Sequence, residues 1–128
     1  MYNSNDTVSL SDSKVIKAVW EKATIVEGFD KDRYRKDPAG AFIQYDKYGD
    51  RNSIYGWEID HVYPKDKGGT DLFGNLRAMN WRNNDSKGVD YPNYTAIVTS
   101  EGNGNIMTNS LKTINKQTQD FIKTAYHL

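Results

Sequence analysis

The chain has 128 residues, a formal net charge of zero and no cysteine. That is the length of one ordinary domain, so a single unit spanning 1–128 is expected. Disulfides and thiolate zinc sites are excluded, and so is a broad basic surface. The opening residues carry no apolar signal core, and no apolar run approaches membrane-span length. A cytoplasmic protein without membrane contact is therefore the expectation.

Residues 1–10 are rich in Asn, Ser and Asp and read as a flexible tail. Ser11 or Ser13 can cap a helix running to about Glu21 or Lys22. Val15, Ile16, Val19 and Trp20 form its apolar stripe. Residues 28–40 are charged and broken by Pro38 and Gly40; Arg35 and Asp37 read as a structural pair. A strand follows over 41–45, and a second runs from near Tyr55 through Val62. Pro64, Gly68 and Gly69 mark a loop, with the two glycines serving backbone geometry.

Residues 76–79 read as a strand. A short helix should then begin near Asn80 or Trp81 and stop at Gly88. Residues 94–100 are a further strand, EGNGN is a turn, and Ser110 to about Tyr126 reads as a helix. Its inward residues would be Leu111, Ile114, Phe121 and Ile122. His127 reads as a tail residue. The class is α+β, with short antiparallel strands between N-terminal and C-terminal helices.

Three features between residues 57 and 88 carry the chemistry. Asp60-His61 closes a strand just before Pro64. Strand neighbours point to opposite faces, so both can serve one site only if the strand stops or bends there. Asn75 stands directly before the next strand. Asn83-Asn84-Asp85-Ser86 lies within a helix although these residue types are mediocre helix formers. Such local conflict often marks a functional or strained site. Helical spacing puts Asn84 and Lys87 on one face, with Trp81 anchoring it to the core. Taken alone, each feature also has an ordinary structural reading, and for Lys87 that reading is a solvated helix end.

As a set, Asp60-His61-Val62-Tyr63-Pro64, Gly68-Gly69, Asn75-Leu76 and Asn84-Asp85-Ser86-Lys87-Gly88 resemble the HNH endonuclease family. The likeness is to its cysteine-free bacterial branch. Upstream, Tyr34-Arg35-Lys36-Asp37-Pro38-Ala39-Gly40, Tyr48-Gly49 and Gly56-Trp57-Glu58 extend the resemblance, so that it covers roughly residues 33–90. The resemblance implies a ββα-metal core and a metal-dependent endonuclease acting on DNA, with RNA as the alternative substrate. It implies His61 as general base and Asn75 as the residue that steadies its loop. Asp60 and Asn84 would hold one divalent cation, Mg²⁺ or else Mn²⁺ or another divalent ion. The four-cysteine structural zinc site of many family members is absent. The family often has histidine where Asn84 stands. Lys87, Arg82 and Arg77 are candidate phosphate contacts. A toxin-type nuclease would require an immunity partner, and additional subunits could supply substrate affinity. The competing class is a non-catalytic nucleic-acid-binding module that keeps the fold.

Overall fold

The computed structural model describes residues 1–128. It is a mixed α+β structure of three helices and small antiparallel sheets. Helix α1 (Ser13–Trp20) is capped by Asp12, whose carboxylate accepts from the Lys14 amide, so neither Ser11 nor Ser13 is the cap. Its Val15, Val19 and Trp20 are buried as the stripe requires. Strands β1 (Thr24–Ile25), β2 (Tyr34–Lys36) and β3 (Phe42–Gln44) form one sheet in that order. The first two lie in charged or exposed sequence with no alternation to announce them.

Strands β4 (Trp57–His61) and β5 (Leu76–Asn80) make a hairpin, followed at once by helix α2 (Trp81–Lys87). Asn80 caps α2 through the Arg82 amide and Gly88 ends it, close to the bounds that the sequence implies. Strand alternation puts Glu58 and Asp60 on one face of the hairpin with Met79 and Arg77. Trp57, Ile59 and His61 share the other face with Leu76 and Ala78. Each face buries its own apolar cluster. Trp57, Leu76 and Ala78 pack with Val15, Val19, Trp20 and Ile43. Met79 packs with Val62, Tyr94, Ala96, Ile114 and Ile122. The hairpin is thus the central layer between α1 and a second layer built from α2 and the strands that follow.

Those strands are β6 (Asn93–Glu101) and β7 (Gly104–Thr113), a two-stranded ribbon with a bulge between Ala96 and Val98. Helix α3 (Lys116–Ala125) starts later than expected, after Asn115, whose side chain accepts from the Thr118 amide. Residues 110–113, expected as helix, pair instead with 93–96 across the Gly102 turn. Leu111, expected inward, is 73% exposed on this ribbon, whereas Ile114 and Ile122 are buried. Cross-strand pairing after a tight turn overrides the helical spacing of Leu111 and Ile114.

Residues 1–10, expected as a flexible tail, are docked. The Val8 amide donates to the Asp71 carbonyl, Phe73 to Asp6 and Gly74 to Ser4. Tyr2 packs on Phe73 at 5.4 Å between ring centroids. The backbone of the 71–74 loop is otherwise without strand partners, and the N-terminal segment supplies them. No helix is long and apolar enough to cross a membrane.

Candidate functional site

Strand β4 ends at His61, and the Val62 amide turns to the Asn75 carbonyl. Asn75 is fully buried and commits its side chain to the same turn. Its Oδ1 accepts from the Tyr63 amide at 2.7 Å; its Nδ2 donates to the carbonyls of Tyr63 and Thr70, each at 3.1 Å. Three backbone groups that neither strand can satisfy are thereby tied to one carboxamide. Gly68 sits at φ 109°, in the left-handed region that favours glycine, and a Cβ on Gly69 would overlap the Tyr63 carbonyl oxygen. The stretch from 62 to 75 is therefore a tightly specified loop, fixed from within by Asn75.

His61 lies on the hairpin face away from α2. Its Nε2 is 2.8 Å from Asp71 Oδ1, and Lys65 Nζ is 3.3 Å from the same oxygen. The His61 hydrogen bond, opposed by some desolvation and aided by Lys65, holds the Asp71 carboxyl below its ordinary value. An ionised carboxylate only accepts, so Nε2 carries the proton and the lone pair of the neutral ring is on Nδ1. Sequence reasoning misses Asp71. It sits in a loop whose composition is ordinary, and only the fold brings it to His61.

Asp60 points the other way, towards α2, and is 4% exposed. Arg77, its partner across the hairpin, donates Nε to Oδ2 at 2.9 Å. Lys87 Nζ is 3.4 Å from Oδ1 and donates to the His61 carbonyl at 3.2 Å. Lys87 is 1% exposed, so the solvated-helix-end reading of this lysine is wrong. Burial lowers its pKa, Asp60 pulls it back up, and Arg77 lowers it again. Asp60, Arg77 and Lys87 thus form one buried charged group at the junction of β4, β5 and α2.

Asn84 stands one helical turn before Lys87. Its Nδ2 donates to Glu58 Oε1 at 3.0 Å, and its Oδ1 accepts no protein hydrogen bond and is open to solvent. Arg51 grips both Glu58 (2.7 and 2.9 Å) and Asp85 (3.0 and 2.9 Å). Burial opposes ionisation of Glu58, but the bonds from Arg51 and Asn84 outweigh it and hold its pKa below the ordinary value. Glu58, Asp60, Arg77, Asn84 and Lys87 therefore share one side of the hairpin, and His61 stands at the strand end on the other. Arg82 is not part of this group: its guanidinium lies over the Trp81 ring and beside Met107.

Asn83 explains much of the odd composition of α2. Completely buried, it accepts from the Ile97 and Val98 amides at the β6 bulge and donates to the Val98 carbonyl and to Asp37 Oδ2. Asp37 does not pair with Arg35 as expected. Its carboxylate takes the amides of Ala39, Ala41 and Asn80, while Arg35 donates to the carbonyls of Glu21, Ala23 and Lys31. Burial raises the Asp37 pKa against the pull of these hydrogen bonds. Comparison with protein-family models, with curated proteins and with solved structures gives no match for this chain.

Proposed function

We propose that this chain is a metal-dependent endonuclease of the HNH type that hydrolyses phosphodiester bonds in DNA. The observation that carries the reading is the placement of the five spaced residues on one hairpin and helix, with Asp60, Asn84 and Lys87 on its α2 side and His61 at the strand end. Asp60 and His61 close β4, Asn75 fixes the following loop, and Asn84 and Lys87 lie on α2 against the same strand.

The donor set suits a small hard divalent ion such as Mg²⁺. Asp60 offers a carboxylate and Asn84 a free carboxamide oxygen, both on the α2 side of the hairpin. No three acidic, histidine or cysteine side chains converge, so water and substrate phosphate would complete the shell. Arg77 and Lys87 neutralise Asp60, so the protein alone would hold such an ion weakly, and a substrate phosphate would add the negative charge that strengthens it. When bound, the ion supplies Lewis-acid stabilisation of charge on the phosphate.

The protein's own residues account for the proton chemistry. Asp71 holds the His61 ring by Nε2–H and leaves Nδ1 as the base for an attacking water. Asn75 keeps the histidine's loop in register, so the ring need not be reoriented during the reaction. Glu58 fixes the Asn84 amide with its oxygen outward.

The test is incubation of the purified protein with supercoiled plasmid and Mg²⁺ or Mn²⁺, beside His61→Ala. Metal-dependent nicking by the wild type and its loss in the variant are expected. Intact plasmid with every divalent ion and at every pH would overturn the reading. It would favour the non-catalytic nucleic-acid-binding module instead.

A further inference from the structure

A second feature lies beside the hairpin and uses residues outside the motif. A cavity of about 340 Å³ opens between β5 and the junction of β7 with α3. Three cations line it: Lys22 from the segment after α1, Arg77 from β5 and Lys112 from β7. No aspartate or glutamate is among its lining residues. In a chain of zero net charge this is a local concentration of one sign.

Neither Lys22 nor Lys112 makes an ion pair. The Lys22 ammonium donates only to the carbonyls of Phe73 and Leu76, and loss of water around it pushes its pKa down to about 8. Arg77 is fixed from one side by Asp60 and lies over the Tyr94 ring, 5.1 Å from its centroid. Tyr94 lines the cavity as well. A guanidinium immobilised in this way binds an oxyanion with little further loss of side-chain freedom. Asn115 and Thr118 place the first turn of α3 on the same wall, so the positive end of the helix adds to the field.

We propose that this cavity binds a backbone phosphate of the nucleic-acid strand, with Lys22, Arg77 and Lys112 as its contacts. The assignment of that phosphate to nucleic acid rests on the nuclease reading above. Arg77 joins the two places, since the same side chain neutralises Asp60 and lines the cavity. The neutral chain would then gain its substrate affinity from this patch and not from its surface at large.

The experiment is a metal-free titration in EDTA of the full chain, followed by amide NMR, with a short DNA duplex and separately with inorganic phosphate. The duplex should shift the amides of Lys112, Thr113, Asn115 and Thr118. Lys112→Gln and Lys22→Gln should each weaken duplex binding by roughly three- to tenfold and reduce the salt slope by about one. Lys112 is half-buried opposite Tyr94 on the ribbon and its side chain makes no hydrogen bond or ion pair, so its variant keeps the test open if Lys22→Gln fails to fold. Unmoved amides with the duplex, or unchanged affinity and salt slope in Lys112→Gln, would overturn the proposal. Shifts with inorganic phosphate alone would overturn the nucleic-acid assignment in favour of a free phosphate ligand. Shifts with the duplex but no plasmid nicking with any metal would sustain the cavity and sink only the nuclease reading.

Discussion

His61 Nε2 and Asp71 Oδ1 stand 2.8 Å apart, joining the last residue of β4 to the loop that precedes β5. The carboxylate decides which nitrogen of the ring is free. Asp71→Asn can present an N–H to the ring and so favour the wrong tautomer. We expect plasmid nicking to fall by roughly one to two orders of magnitude. Loss of the base in His61→Ala should cost more, up to the roughly 10²- to 10⁴-fold that general-base catalysis supplies. Nicking rates of both variants, with circular dichroism to confirm folding, check this. Equal rates for Asp71→Asn and wild type would remove Asp71 from the mechanism.

Asn83 and Asn84 are neighbours with opposite duties. Asn83→Ala removes four buried hydrogen bonds, leaves the Asp37 carboxylate short of a donor, and should cost on the order of 3 kcal/mol. Asn84→Ala removes one partly buried bond and should cost under about 1 kcal/mol. Urea denaturation separates the two. Metal-dependent nicking should be lost in Asn84→Ala and partly restored by excess metal, whereas Asn83→Ala should lose activity only through unfolding.

Asn75→Ala strips the loop after His61 of its internal anchor. The Tyr63 amide loses its acceptor, and a stability loss of about 2–3 kcal/mol is expected. Amide hydrogen exchange should quicken first at Tyr63. If Tyr63 exchange is unchanged, Asn75 does not hold the loop.

Lys22 gives a pH signature. Its folded pKa of about 8 lies below the ordinary 10.5, so above pH 8 the unfolded chain binds more protons than the folded one. Stability from this group therefore rises as pH increases from about 8 to about 10.5. Lys22→Met should flatten that part of the curve relative to wild type, as measured by denaturant midpoints across the range. A difference between the two curves that does not vary with pH would show that the ammonium is not desolvated.

The sequence shows the hairpin and α2 clearly, because their signals are local: an apolar strand closed by proline and glycine, a capping Asn80 and a terminating Gly88. The candidate residues of the proposed site are equally legible as a spaced set. What they touch is not. The Arg77 and Lys87 contacts of Asp60 depend on hairpin register and on which helix face turns inward. Asp71, Glu58 and Arg51 enter only through the tertiary fold. The end of β7 is illegible for a related reason. Leu111 and Ile114 fit a helix by spacing, and only pairing with β6 decides against it. The Asn83 bonds show that polar residues in α2 can mark a structural anchor as well as a reactive group.

The loop that carries Asp71 is gripped by both ends of the chain. Ser4, Asp6 and Val8 pair with its backbone, and Tyr126 reaches Thr70 from a sequence separation of 56 residues. Contacts of such long range close late in folding, since each pays loop-closure entropy before it contributes. A nascent chain could form the hairpin and α2 well before the segment bearing Tyr126 leaves the ribosome, yet His61 would still lack its firmly seated partner. The arrangement thus sets a timing: the His61–Asp71 pair is firmly seated only after the scaffold around it is built.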